Sequence, residues 1–145
     1  MDSDADVVVV FGGTNDFGHG DAKLGTFESR NPYTFYGAMH VLCEKLINRF
    51  PNADILFMTP LHRCSEDEVS KENGLPEETN LAGYVSIIRE VAEFYGLPVL
   101  DLFSTSGLQP KVDIIKETYM PDGLHPSDAG ALRIALRLMG FLQTL

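Results

Sequence analysis

The sequence predicts an α/β fold built on a parallel sheet. Short apolar runs alternate with longer stretches whose apolar residues recur at helical spacing. The first run is almost entirely β-branched, as buried parallel strands are. Glycine or proline stands at the element boundaries. The chain has 145 residues, a length that suits one domain, residues 1–145.

Val7–Phe11 is the first strand, closed by Gly12-Gly13. Its continuous apolar character predicts cover on both faces. Residues 14–31 read as a Gly-rich loop. Pro32 is placed to open a helix over 34–50, where Phe35, Met39, Leu42 and Leu46 fall on one face. Residues 54–59 form the second strand, stopped by Pro60. Residues 65–80 are polar, and Glu66, Asp67, Glu68, Glu72, Glu77 and Glu78 face a single Lys71. This segment reads as a solvated loop, with a lid over the site as the alternative.

Leu81, Tyr84, Val85, Ile88, Val91, Ala92 and Tyr95 then make a helical stripe that Gly96 ends. Residues 98–101 are a short third strand, followed by a loop. A last helix over 127–142 places Leu132, Ala135, Leu136 and Met139 on one face. Such an order requires right-handed crossovers, and it puts active groups on loops at the carboxyl ends of the strands. Those loops are residues 13–20, 59–63 and the stretch after Asp101.

Composition narrows the function. Acidic residues number 21 and basic residues 11, for a net charge of −10. A phosphate backbone or an anionic membrane selects a basic face, so neither is an expected partner. No apolar run approaches the ~20 residues of a membrane span. The first six residues are acidic and carry no secretory pattern. Cys43 and Cys64 lack zinc or disulfide spacing and suit free thiols in a reducing, cytoplasmic compartment. Combining Asp16, His19, Asp122 and His125 as metal ligands finds no H-x-x-x-H support, so no metal or cofactor is expected.

Two clusters stand out. Gly12-Gly13-Thr14-Asn15-Asp16 follows the first strand directly. Glycine lets backbone approach a ligand, and Asn15 offers a neutral amide N–H to a developing oxyanion. An ordinary turn uses the same residue types. Asp122-Gly123-Leu124-His125-Pro126 precedes the last helix. A carboxylate three residues before a histidine can fix its tautomer and support its cation. A helix start, with Pro126 in its first turn and Ser127 or Asp128 as cap, uses the same residues.

Taken together, Gly13-Thr14-Asn15-Asp16 resembles the G-x-N-D block of the SGNH (GDSL) hydrolases, and Asp122-Gly123-Leu124-His125 resembles their D-x-x-H block. The resemblance is closest to bacterial GDSL-type lipase/acylhydrolases and extends over the chain. It implies a three-layer, flavodoxin-like parallel sheet with helices on both faces, here without its first two strands. It also implies hydrolysis of a small carboxylic ester, an acyl-sugar or lipid, by a serine nucleophile without metal. By carry-over, Asn15 is an oxyanion donor, His125 the base and Asp122 its orienting partner. Gly13, Asp16, His19, His62 and Arg63, on loops at the same edge, are candidate substrate contacts.

The family's G-D-S block and second oxyanion block have no counterpart here. Ser3 does not substitute for the nucleophile. Nine extended steps to Gly12 span roughly 30 Å, whereas a nucleophile lies about 3 Å from its base. Ser65, Ser104 and Ser106 stand in loops without an elbow-like context. The expectation is therefore the C-terminal portion of a larger SGNH domain, with Val7–Phe11 as an apolar edge that self-associates, by strand pairing or swapping. The alternative is a non-catalytic carbohydrate- or acyl-binding module, or a degenerate interaction protein, derived from that fold. An in-frame G-D-S about 60–80 codons upstream, a family expectation, would separate the two.

Overall fold

The structure, a computed structural model, describes residues 5–19, 23–68 and 79–145. Ser3 and most of the acidic 65–80 segment lie outside the described residues. Among these, three strands form one parallel sheet in the order β1 (Val7–Phe11), β2 (Asp54–Met58) and β3 (Val99–Leu100). The α/β reading holds, and helices lie on both faces of the sheet.

Register explains the two faces. Val8 pairs with Ile55 and Val10 with Phe57, and these side chains share one face. That face is covered by α2 (Phe35–Arg49) and α3 (Leu81–Phe94), with Met39, Cys43, Tyr84 and Ile88 in the core. Leu56, Met58 and Leu100 point to the other face. There they meet Leu102, Leu108 and Met120, with Ile134, Leu138 and Phe141 of α6 (Asp128–Leu142) packed against them. Each fully buried large apolar side chain contributes about 1.5–3 kcal/mol.

Several elements differ from the sequence reading. Residues 14–31 do not begin as a loop: Thr14–His19 is a helix, α1, started by a bond from Phe17 N to Gly13 O at 3.2 Å. Phe17 is buried against Tyr84, and this tertiary anchor outweighs the local turn signal. Pro32 does not open α2. Thr34 does, its hydroxyl accepting from Gly37 N at 3.2 Å. The stretch after Asp101 carries two short helices, α4 (Leu102–Thr105) and α5 (Asp113–Tyr119). Asp101 starts α4 by accepting from Ser104 N at 3.2 Å. Ser127 is the cap of α6.

Two apolar surfaces remain open. Val7, Val9 and Phe11 are exposed, because β1 is an edge strand covered on one face only. Leu132, Leu136 and Met139 do form one face of α6, but that face is exposed. The buried side of α6 carries Ile134, Leu138 and Phe141 instead. Periodicity identifies an apolar stripe and does not say which of two stripes the core takes.

One buried group carries a pH signature. His40 is fully buried among Phe27, Phe94 and Tyr95, with ring centroids 5.0, 5.7 and 5.5 Å away. Tyr95 gives its hydroxyl proton to Glu44 at 2.9 Å and so accepts from His40 Nδ1 at 3.1 Å. Burial pushes the His40 pKa below its ordinary 6.5, with Arg30 acting in the same direction. Below pH 6.5 the unfolded chain binds a proton at this site that the folded chain refuses until its lower pKa is reached. Stability at His40 is therefore full above pH 6.5 and is lost as pH falls from there. Urea unfolding between pH 7.5 and 5 should show a shallower loss in His40→Phe than in the native chain. An equal slope in both would remove His40 as its source.

Candidate active site

The two sequence clusters meet at the carboxyl edge of the sheet. A cleft of about 200 Å³ opens there, lined by Asn15 and His125 together with Phe11, Leu61, Leu124 and Pro126. Its walls are mostly apolar, and the amide and imidazole are its main polar groups.

Asn15 is delivered by β1. The chain leaves Phe11 through Gly12 and Gly13 and enters α1 at Thr14. Gly13 adopts φ of +100°, and a Cβ there would come within 3.1 Å of Ile88 and 3.3 Å of Pro60. Only glycine meets both demands.

His125 and Asp122 are delivered by the turn between α5 and α6. Asp122 Oδ1 accepts from the backbone N–H of Leu124 at 2.8 Å and of His125 at 2.7 Å. Its Oδ2 lies 2.7 Å from His125 Nδ1. The His125 ring, then the His125 and Leu124 backbone amides, hold the Asp122 carboxyl well below its ordinary range. The ionised carboxylate has no proton to give, so Nδ1–H donates, and in the neutral ring this tautomer leaves the lone pair on Nε2. The His125 side chain is 76% exposed, so solvent or a ligand reaches the ring.

The turn is fixed at both ends. Met120 is fully buried at the end of α5, and Gly123 N donates to Met120 O at 2.8 Å. Ser127 N donates to Tyr119 O at 2.8 Å and its hydroxyl to Thr118 O at 2.9 Å. The loop after β2 closes the arrangement: Cys64 N donates to Gly123 O at 2.9 Å.

The remaining candidates lie around this cleft and not in it. Gly13 and Asp16 line a neighbouring groove with Phe35, Met39 and Ile88. His19 ends α1. His62 is bonded to Glu66 at 2.7 Å and stacks on Phe103 at 3.9 Å between centroids. Arg63 reaches Thr14 O at 3.3 Å and Ser65 Oγ at 3.2 Å. Ser106 is buried, Ser104 bonds Arg89, and among the described residues no serine lines the cleft. Of the aromatic residues between β1 and α2, Phe17 is core, Phe27 packs on Tyr36 and Tyr33 is exposed.

Sequence reasoning missed three supports. The Thr59 hydroxyl donates to Asp101 Oδ1 at 3.0 Å and accepts from Phe103 N at 2.9 Å, tying the ends of β2 and β3. Arg89 pairs with Asp101 at 2.7 Å. Glu66, read as part of a solvated run, is buried and collects donors from four residues. Nothing in a polar tract marks one carboxylate as interior.

The profile of the GDSL-like lipase/acylhydrolase family matches residues 2–133. The chain belongs to that family. The chain is also similar to solved structures. One is 39% identical with a TM-score of 0.85, and the match covers 100% of this chain and 67% of the other. A protein from Lactobacillus plantarum is 32% identical with a TM-score of 0.86, over 99% of this chain and 69% of its own. The lipase/acylhydrolase from Enterococcus faecalis shares the fold at 23% identity and a TM-score of 0.56, over 96% and 62%. No curated protein matches the sequence. The family level of function is therefore ester hydrolysis. Among the described residues, no helix is long and apolar enough to cross a membrane.

Gly123 offers a test of the turn. Its φ is +77°, and a Cβ would fall 2.6 Å from Cys64 Sγ. Gly123→Ala should cost about 1–3 kcal/mol in urea unfolding. Adding Cys64→Ala should recover the steric part and leave the backbone part. A fully additive double mutant would show that the two residues do not press on each other.

Proposed function

We propose that this lipase/acylhydrolase chain carries the base, its orienting carboxylate and one oxyanion donor of a Ser-His-Asp ester hydrolase, and that the serine comes from outside the 145 residues. The observation that carries the reading is the placement of Asn15 and His125 on one cleft, with Asp122 bonded to His125 Nδ1 at 2.7 Å. In the mechanism, His125 Nε2 takes the serine proton as its oxygen attacks the ester carbonyl. Asp122 stabilises the imidazolium, and Asn15 donates to the oxyanion. His125 then protonates the leaving alcohol, and water repeats the sequence on the acyl-enzyme. The apolar walls suit the acyl side of a small ester, and neither metal nor cofactor has a part in these steps.

The same reading makes residues 1–145 the C-terminal portion of an SGNH domain, in a cytoplasmic, reducing setting. The exposed β1 edge and the partly covered sheet face support it. A chain that joins an SGNH N-terminal segment ahead of β1 should hydrolyse p-nitrophenyl acetate. His125→Ala should then lower kcat/KM by about 10⁴-fold or more and Asn15→Ala by roughly 10²–10³-fold. Near-normal turnover in His125→Ala would reject the assignment. The 145-residue chain by itself should stay at background, and turnover abolished only by Ser3→Ala would overturn the geometric exclusion of that residue.

Alone in solution, the chain should self-associate through Val7–Phe11. Val9 is exposed on the edge, so Val9→Lys should return the chain to monomer in light scattering. A native chain that is monomeric at high concentration would dismiss this pairing.

A further inference from the structure

The loop after β2 touches both halves of the site, and Arg63 is its contact with the Asn15 half. The Arg63 guanidinium donates to Thr14 O at 3.3 Å and to Ser65 Oγ at 3.2 Å. Its central carbon lies 5.3 Å from the centroid of the Phe17 ring. A Cβ at Gly18 would come within 2.9 Å of its Nη1, so the group lies close against α1. Arg63 is not among the residues lining the cleft.

Thr14 O and Asn15 N belong to one peptide plane. Holding the oxygen steadies that plane, and with it the position of the Asn15 Cα from which the side chain leaves the helix. α1 has six residues, too few to be stable by itself, so its orientation depends on such tertiary contacts.

The loop has a rigid base. Arg63 N donates to Glu66 Oε2 at 3.1 Å, and His62 Nδ1 meets the same oxygen at 2.7 Å. Glu66 Oε1 accepts from Gln109 at 3.1 Å and Lys111 at 3.0 Å. Burial alone would raise the Glu66 pKa, but these donors outweigh it and the net shift is downward. One residue on from Arg63, Cys64 N holds Gly123 O in the turn that carries Asp122 and His125.

We propose that Arg63 is a positioning residue for Asn15, and that the Glu66-anchored loop it stands on sets the spacing between Asn15 and the His125–Asp122 pair. This rests on the reading that Asn15 and His125 act on one substrate. Arg63 then works through the Thr14 peptide and the Phe17 ring and does not touch the ester.

The test has two independent arms. In NMR spectra of the 145-residue chain, Arg63→Met should move and broaden the backbone and side-chain amide signals of Asn15. The His125 ring signals should keep their native positions, and Arg63→Lys should restore most of the Asn15 change. Unmoved Asn15 signals in a folded Arg63→Met chain would overturn the proposal. Should that variant not fold, Phe17→Leu removes the ring beneath the guanidinium. It should displace Asn15 in the same way, and native Asn15 signals there would equally overturn it.

In the ester-hydrolysing form, Arg63→Met should lower kcat by roughly 10–100-fold with KM nearly unchanged. A raised KM with native kcat would make Arg63 a substrate contact and defeat the positioning role. Absence of ester turnover in every form would reject the hydrolase reading, while the NMR arm would still decide whether Arg63 positions Asn15.

Discussion

The site depends on the parallel register of β1 and β2. Phe11 pairs with Met58, so both strands end at the same level. In a parallel ladder the residues that follow both ends emerge side by side. That is why Gly12 to Asn15 and Thr59 to Glu66 arrive at one place, and why Gly13 lies against Pro60. A slip of one residue would turn Val8 and Val10 out of the α2–α3 core. The hydrophobic pattern that fixes the register thus also fixes where the chemistry begins.

The sheet supplies only half of the site. Asp122 and His125 stand on a turn between two helices, more than 20 residues after the last strand. Their position comes from hydrogen bonds made one at a time: Ser127 to the end of α5, Gly123 to Met120, and Cys64 to Gly123. Each is worth about 1 kcal/mol net. Removing one loosens the turn more readily than it unfolds the chain. Glu66 differs, because a buried carboxylate stripped of its donors costs several kcal/mol. The strongest local constraint therefore sits behind the cleft, in a segment with no obvious chemistry.

What was legible in the sequence follows the same division. β1, β2, α2 and α3 were readable because period and punctuation agree over five to fifteen residues. Gly13 and Asp122 were readable because local turn geometry favours those residue types, and Asn15 and His125 were singled out by the resemblance of the blocks they stand in. α1 was not, because Thr14 to His19 includes Gly18 and is anchored by tertiary contacts of Phe17 with Tyr84 and Arg63. Glu66 was not, because its burial depends on Gln109 and Lys111, more than 40 residues away. The core side of α6 was not, because Leu132, Leu136 and Met139 compete with Ile134, Leu138 and Phe141 on apolarity alone.

The exposed edge and the open cleft are one problem. Phe11 is the last residue of β1, is 51% exposed, and is also a wall of the cleft. Any strand laid against β1 must therefore end, or begin, beside Asn15 and His125. A parallel neighbour would bring its carboxyl end there, and the loop leaving it would face the His125 ring. An antiparallel neighbour, such as a second copy related by a two-fold axis, would bring its amino end instead. Both satisfy the unpaired backbone of β1 and shield Val7 and Val9. Only the parallel arrangement places a strand-to-loop junction, where α/β folds carry their reactive groups, within the cleft. The direction of any strand laid on this edge would thus decide whether the cleft gains a further reactive group or only a cover.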